Sequence, residues 1–349
     1  MSEAKKTSLY TVDLIKYLCA IVIIIVHCER VIDNPLFHHL LKNVLGRITV
    51  PFFMVTTGYF IKQKLSQNPN YAKKYLVTLT KTYLLWCAIY LPFGLEYIHN
   101  NMNIPVYLYP VVLVLGVVYI GTYYHLWYIP AIIFAVILSL FLLKKMRYRN
   151  VLILSTILYI IGSVETYSGY LSETIFAKWF YTYQTYFMTT RNGLFYALTF
   201  VLIGYVIYDY NEKLKKIKHI GFVTIISAIL LILEGVIIFL NQGFDKNFLL
   251  MLIPFMLFFT YWALNTNPVD KDSTMYRNLS KYYFFLHPIP IFFVNMNLET
   301  LRKFLPIHDG WIRFIIAMIV THTLSLLMIR LQKTIKNKNT PIAKLLKYL

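Results

Sequence analysis

Ten apolar runs, each close to the length that a bilayer requires, constrain this chain more than any other feature. A helix needs about 20 mainly apolar residues to cross the hydrocarbon core, and 58% of this sequence is apolar while 14% is charged. The sequence therefore predicts an all-α integral membrane protein with about ten transmembrane helices in one bundle. The runs lie at 9–29, 47–62, 80–98, 125–143, 150–167, 193–209, 220–240, 248–264, 282–297 and 311–330.

A further stretch, 106–124, is apolar but contains Pro110 and five tyrosines. Tyrosines concentrate where membrane meets water. We interpret this stretch as an interfacial or re-entrant segment, with an eleventh span as the alternative.

The distribution of basic residues predicts the orientation, because short cytoplasmic loops are enriched in Lys and Arg. With the N-terminus inside, 24 of the 34 Lys and Arg residues fall in cytoplasmic segments and nine in outer segments. We therefore expect both termini in the cytoplasm and a short basic tail at 331–349. An eleventh span would place that tail outside. The whole of 1–349 is expected to form a single multi-pass domain surrounded by membrane lipids.

Several other classes of protein are disfavoured. The net charge of +19 is divided among short loops, so we expect no nucleic-acid partner. The sequence has no phosphate-binding Gly-rich loop, no HExxH, no CxxC and no GxSxG motif, and we expect no metal site. Its three cysteines, Cys19, Cys28 and Cys87, cannot make a complete disulfide framework.

The first run carries three ionisable residues, Asp13, Lys16 and His27. At 100° per residue, Lys16 and His27 lie within about 20° of each other on one helix face and roughly 16 Å apart, with Asp13 within about 60°. A histidine there can act as a general base on a hydroxyl. The alternatives are that Lys16 snorkels and pairs with Asp13, and that His27 bonds a neighbouring helix.

Other polar residues within or at the ends of spans are candidates because charge inside a membrane is costly. A sugar site and a salt bridge are both open for Glu165 and Arg191, and the aromatic residues can also form an interfacial belt. His287 precedes Pro288, so it can instead bond backbone carbonyls that the proline leaves without a donor. The candidates are His125, Trp127, Tyr128, Glu165, Arg191, Asn192, Glu234 and His287.

Four segments, in this order, resemble the membrane-bound acyltransferase family 3, and the resemblance covers about 10–330. It implies a ten-helix bundle in a bacterial plasma membrane. Such a bundle moves an acyl group, here expected to be acetyl from acetyl-CoA, to a hydroxyl of an extracytoplasmic cell-surface polysaccharide or lipid-linked glycan. A separate extracytoplasmic transferase is a possible partner. The segments are VDLIKYLCAIVIIIVHC at 12–28, VPFFMVTTGYF at 50–60, YHLWYIPAII at 124–133 and FFLHPIPIFF at 284–293.

The resemblance also implies residue roles. His27 becomes the catalytic histidine, and Lys16 and Lys81 become contacts on the acetyl-CoA side. From their positions in the sequence, we also expect Asp13 to join these contacts and Glu234 or Glu165 to orient the other ring nitrogen of His27. The family's R-x-x-R motif reads TLTK here, so that only its last position is basic. The remaining candidates are expected to bind the acceptor: His125, Trp127, Tyr128, Arg191, Asn192 and His287.

A second resemblance, within the same superfamily, is to the membrane domain of vancomycin-resistance serine racemases. It is carried by YHLWYIPA, by TRNGLFY at 190–196, by Glu234 and by FLHP. That domain is associated with serine uptake, so an amino-acid transporter is the alternative function. The sequence ends at Leu349 after a short tail, and we expect no racemase domain. A structural subunit is a third alternative.

Overall fold

The computed structural model describes residues 9–266, 268, 271–305, 307–335 and 348, which form helices joined by loops. The all-α prediction is confirmed for these residues. Two π-helical segments, Leu41–Leu45 and Gly193–Ala197, directly precede the α-helices that begin at Gly46 and Leu198. The α-helices are α1 Tyr10–His27, α2 Pro35–Leu40, α3 Gly46–Leu65, α4 Tyr71–Asn101, α5 Tyr109–Tyr119, α6 Tyr128–Lys145, α7 Tyr148–Tyr167, α8 Ile175–Phe187, α9 Leu198–Asp209, α10 Asn211–Leu214, α11 Ile220–Leu240, α12 Leu252–Asn265, α13 Thr274–Leu286, α14 Pro288–Met296, α15 Leu298–Phe304 and α16 Asp309–Ile335.

Seven helical stretches of the described residues are long and apolar enough to cross a membrane. They are α1, Pro35–Leu65, α4, α6, α7, α11 and α16. Three apolar stretches are shorter, namely Val106–Tyr119, Gly193–Asp209 and Leu252–Asn265. A multi-pass membrane protein is therefore supported, whereas the count of about ten and the cytoplasmic termini stay predictions. Residues 1–8 and most of the tail, 336–347 and 349, lie outside the described residues.

The stretch at 106–124 forms a short 3-10 turn followed by α5, which has 11 residues. At 1.5 Å per residue α5 is about 16 Å long. This is too short to cross the roughly 30 Å hydrocarbon core by itself.

The described residues divide into two compact units. The terminal unit comprises those in Met1–Phe53, Lys218–Phe239 and Pro254–Asn337. The central unit comprises those in Met54–Ile217, Leu240–Ile253 and Lys338–Leu349. The prediction of one domain over 1–349 stays a prediction, and each unit is described separately.

In the terminal unit, α1 packs along α13, and α13 and α14 pack on α16. The face of α1 that is buried carries small or branched apolar residues, including Val12, Ala20 and Ile24. Gly310 begins α16 where the chain after α1 passes closely, since a Cβ there would lie 2.2 Å from the carbonyl oxygen of Arg30. This packing brings the polar residues of α1 against those of α13.

The central unit is built around α9, which is almost wholly buried and packs on α6 and α7. Its Gly204 faces Gly58 of α3. A Cβ on Gly204 would lie 2.2 Å from the carbonyl oxygen of Val55, and a Cβ on Gly58 would lie 2.2 Å from that of Val201. Small residues at such crossings let two membrane helices approach closely.

Candidate functional site

Two candidate histidines meet in the terminal unit. His27 is the last residue of α1, and His287 lies between α13 and α14. Their rings stack with centroids 5.3 Å apart and planes inclined by 22°. His287 is completely buried and His27 is partly buried. The structure therefore brings together the predicted catalytic histidine and a residue predicted to bind the acceptor.

The break between α13 and α14 explains how His287 is oriented. Pro288 has no N–H, so the carbonyl of Phe284 loses its donor within the helix. Nδ1 of His287 lies 3.1 Å from that carbonyl oxygen and 2.9 Å from the carbonyl oxygen of Tyr283, and donates to them. The neutral ring consequently carries its lone pair on Nε2. Its role in acceptor binding stays a prediction.

A second polar cluster lies along the same helices. The hydroxyls of Tyr17 and Tyr283 are 3.5 Å apart, and the Tyr283 hydroxyl lies 2.8 Å from Nδ1 of His322 on α16. Sequence reasoning singled out neither tyrosine, because a tyrosine near a span end resembles an interfacial residue.

Asp13 lies near the start of α1 and is buried. Its Oδ2 accepts from Nη2 and Nε of Arg277 at 2.7 and 3.1 Å, and from the hydroxyl of Ser273. Lys16, one turn further along α1, is partly buried. Arg277 was counted only as a loop charge in the sequence, which gives no sign that it reaches a residue 264 positions away.

Beyond His27, the chain carries a further ion pair. Nη1 and Nη2 of the buried Arg313 each lie 3.0 Å from a carboxylate oxygen of Glu29, and its Nε donates to Asn295 at 2.6 Å. Polar groups thus occur at four levels of the terminal unit, and we call this set the polar column. Its members are Asp13 and Arg277; Tyr17, Tyr283 and His322; His27 and His287; Glu29 and Arg313.

In the central unit, Glu165 near the end of α7 is fully buried. Its carboxylate accepts from the backbone N–H of Thr190 at 2.7 Å, from the hydroxyls of Thr189 and Thr190, and from Nδ2 of Asn247 at 3.3 Å. Asn247 also donates to Asp245. Glu165 is in the central unit and His27 in the terminal unit, so the proposal that Glu165 orients His27 stays untested.

Arg191 reaches Glu165 only through an intermediary. Its Nη1 donates to Oδ1 of Asn247 at 3.2 Å, and its guanidinium lies 4.6 Å from the ring centroid of Trp127. Among the residues that the structure describes, Arg191 forms no ion pair. Of the two alternatives for Glu165 and Arg191, the direct salt bridge is therefore not observed.

Asn192 begins the π-helical segment before α9. Its Oδ1 accepts from the N–H groups of Leu194 and Phe195 at 2.9 and 3.1 Å, and its Nδ2 donates to the hydroxyls of Tyr119 and Tyr183 at 3.0 and 3.1 Å. Burial raises the pKa of Tyr183, so this hydroxyl stays protonated. These bonds give Asn192 a structural role beside its predicted binding role.

The predicted aromatic candidates join a cluster of rings in the central unit. His125 is buried and meets Tyr90 edge-on with centroids 4.6 Å apart. Trp127 packs edge-on against Tyr196, and the Tyr128 hydroxyl bonds the side chain of Thr57.

Lys81 lines a groove of about 340 Å³ on the exposed face of α4. The ring centroid of Tyr348 lies 5.6 Å from its Nζ. Other lining residues are Asn70, Lys73, Lys74, Val77 and Thr78. The groove therefore presents three ammonium groups beside one aromatic ring.

The remaining candidate, Glu234, lies buried on α11 in the terminal unit. Whether it orients His27 stays a prediction. Among the described residues, no group of three His, Cys, Asp or Glu side chains is arranged to hold a metal ion.

The chain is similar to proteins of one family. A family model described as an acyltransferase domain matches residues 9–330. An amino-acid racemase of Enterococcus faecalis is 27% identical over 338 residues, which cover 93% of this chain and 46% of the relative. A serine/alanine racemase of Enterococcus gallinarum is 25% identical over 330 residues, which cover 89% of this chain and 44% of the relative. No solved structure matches.

These matches confirm both resemblances predicted from the sequence motifs. The chain spans less than half the length of the curated relatives it matches.

Proposed function

The chain belongs to the acyltransferase family 3, and we propose that it is an integral membrane O-acyltransferase. In this proposal it moves an acetyl group from cytoplasmic acetyl-CoA to a hydroxyl of an extracytoplasmic cell-surface glycan. The observation that carries the proposal is the stack of His27 on His287 within the polar column of the terminal unit. Ionisable side chains inside a membrane helix bundle are costly without a function, and here the completely buried His287 stacks on the partly buried His27.

His27 acts as the general base. It takes the proton from the acceptor hydroxyl as the oxygen attacks the carbonyl carbon of the thioester. A C–O bond forms and the C–S bond breaks, and the departing thiolate receives the proton from His27. His287, held by the carbonyls of Tyr283 and Phe284, fixes the plane of the His27 ring.

The donor binds at basic side chains. The groove of Lys73, Lys74 and Lys81 suits the phosphates of acetyl-CoA, because a lysine ammonium binds phosphate as a point charge. The groove holds about 340 Å³, so it takes one part of the donor rather than all of it. Lys16 on α1 is proposed as a further donor contact.

The proposed topology has about ten spans, with both termini and the basic groove on the cytoplasmic side of a bacterial plasma membrane. The short apolar helices α9 and α12 and the broken pair α13 and α14 supply the three spans beyond the seven long ones, while α5 is proposed as an interfacial or re-entrant segment. The bundle acts alone or passes the acetyl group to a separate extracytoplasmic transferase.

The test uses the purified chain in lipid nanodiscs with radiolabelled acetyl-CoA and a soluble glycan acceptor. Binding of the donor and release of its free thiol are both measured, and Lys81→Gln is compared with wild type. The proposal predicts saturable binding and thiol release. Absence of both from well-folded protein would overturn it.

A second candidate function is transport of serine or a related amino acid. It is favoured by the named relatives, an amino-acid racemase and a serine/alanine racemase, which match this chain over most of its length. In that case charged residues inside the bundle bind a zwitterion. Uptake of labelled serine into proteoliposomes, unaffected by acetyl-CoA, would support transport over transfer.

A further inference from the structure

The guanidinium of Arg191 in the central unit is only partly used. Among the residues that the structure describes, Nη1 is the one nitrogen of this side chain that has an acceptor, the Oδ1 of Asn247. Its Nε is buried and has no hydrogen-bond partner. A buried donor without an acceptor is unusual in a folded protein, and an acceptor group of a ligand is one way to satisfy it.

The surroundings of Arg191 fix which way the unused donors face. The guanidinium carbon Cζ lies over the ring of Trp127, 4.6 Å from its centroid. Asn247 occupies the Nη1 edge, which leaves the edge formed by Nε and Nη2. Two parallel N–H groups on one edge match the two oxygens of a carboxylate. The side chain as a whole is partly exposed, whereas its Nε is buried.

The charge around the site favours a single negative charge on the ligand. Glu165 and Asp245 both accept from Asn247, the same side chain that Arg191 contacts. Two carboxylates one residue away repel a phosphate dianion about twice as strongly as a singly charged carboxylate. Glu165 is itself bonded to Thr189 and Thr190, so it is held away from Arg191.

We infer that the Nε and Nη2 edge of Arg191, against Trp127, binds a carboxylate of the acceptor. This inference narrows the substrate class of the proposed function. It rests on the proposed function only in identifying the bound carboxylate compound as the acceptor. The carboxylate can belong to a sugar acid or to an amino acid. The acceptor class is thereby narrowed from any hydroxyl compound to one that carries an acidic group.

The experiment measures binding of labelled N-acetylmuramic acid and labelled L-serine to the full chain in nanodiscs. Each probe has a matched competitor that lacks the carboxylate, N-acetylglucosamine for the sugar acid and ethanolamine for serine. We expect at least one acid to bind and its matched competitor to bind at least tenfold more weakly. Binding of N-acetylmuramic acid identifies a sugar acid, and binding of serine identifies an amino acid.

Two variants locate the site. Arg191→Lys keeps the charge but lacks the fork, and should weaken binding of the acid at least tenfold. Lys178→Gln removes a positive charge from the exposed face of α8 and should bind as wild type does. The inference is overturned if neither acid binds, if the competitors that lack the carboxylate bind equally well, or if folded Arg191→Lys binds normally.

If Arg191→Lys does not fold, the comparison of each acid with its matched competitor on the wild-type protein still tests whether binding depends on the carboxylate. The result also separates this inference from the proposed function. Carboxylate-dependent binding by a protein that releases no thiol from acetyl-CoA would keep the inference and overturn the acyltransferase proposal.

Discussion

Asp13 illustrates how one residue supports two different roles. Its place one turn from Lys16 predicts a role in the donor site, whereas the structure pairs it with Arg277 and Ser273. Asp13→Asn removes a buried charge whose partner Arg277 is 45% exposed, so we expect a loss of about 1–3 kcal/mol in stability. If the role is structural, the KM for acetyl-CoA stays unchanged.

Thermal unfolding in detergent and donor kinetics together check this prediction. The control is Asp33→Asn. Because the Asp33 side chain is 96% exposed, this substitution should change neither the melting temperature nor the KM for acetyl-CoA. An unchanged melting temperature combined with a raised KM would instead assign Asp13 to the donor site.

Lys81 gives a second prediction at this scale. Exposed charges contribute little individually, about 0.2–1 kcal/mol for a pair. Lys81→Gln should therefore weaken acetyl-CoA binding about two- to fivefold at low salt, and less at high salt because screening reduces the attraction. Lys145→Gln, at the exposed end of α6, is the control because it removes the same single positive charge. Equal weakening by both variants would show a general charge effect rather than a site.

For single residues, the sequence singled out polar side chains within and near the spans, but it did not predict their partners. His27 and His287 were both selected because polar residues are rare in spans, yet nothing in the sequence placed one ring on the other. The bridge from Arg191 through Asn247 to Glu165 was equally hidden. Such contacts depend on helix packing, which local spacing does not encode.

Among the helices, the junction of α13 and α14 gives a testable prediction about the orientation of His287. Pro288→Ala returns an N–H that can bond the carbonyl of Phe284, so that His287 loses one of its two anchors. Since misplacement by about 1 Å can cost up to 10²-fold in rate, we expect transfer to fall roughly 10- to 10²-fold with donor binding unchanged.

The neighbouring Pro290→Ala is the matched control, because His287 bonds neither the carbonyl nor the N–H affected there. Measured initial rates of acetyl transfer decide the question. Unchanged rates in Pro288→Ala would mean that the proline break does not orient the histidine.

Most helices could be predicted because the length of an apolar run is set by the bilayer. The run at 282–297 was predicted as one span, whereas the structure divides it at His287 between α13 and α14. By contrast, α8 was missed, since its aromatic residues alternate with polar ones over Ile175–Phe187 and form no continuous apolar run. The π-helical entry to α9 has no simple sequence signal either.

For the whole molecule, the proposed orientation predicts which loops are accessible from outside the cell. Lys178→Cys on α8 should react with an impermeant thiol reagent in intact cells, and Lys145→Cys only after permeabilisation. The native cysteines give little background because Cys19, Cys28 and Cys87 are buried. The reverse labelling pattern would contradict the predicted orientation.

In the proposed function, His27 performs the chemistry of acetyl transfer while other side chains supply the binding energy for acetyl-CoA. The most direct measurement compares donor binding and thiol release in nanodiscs for wild type, His27→Gln and the exposed control His99→Gln. We predict that His27→Gln keeps donor binding while its rate of thiol release falls about 10²- to 10⁴-fold. The His99→Gln variant should bind the donor and release thiol as wild type does. Thiol release by folded His27→Gln at the wild-type rate would contradict this prediction.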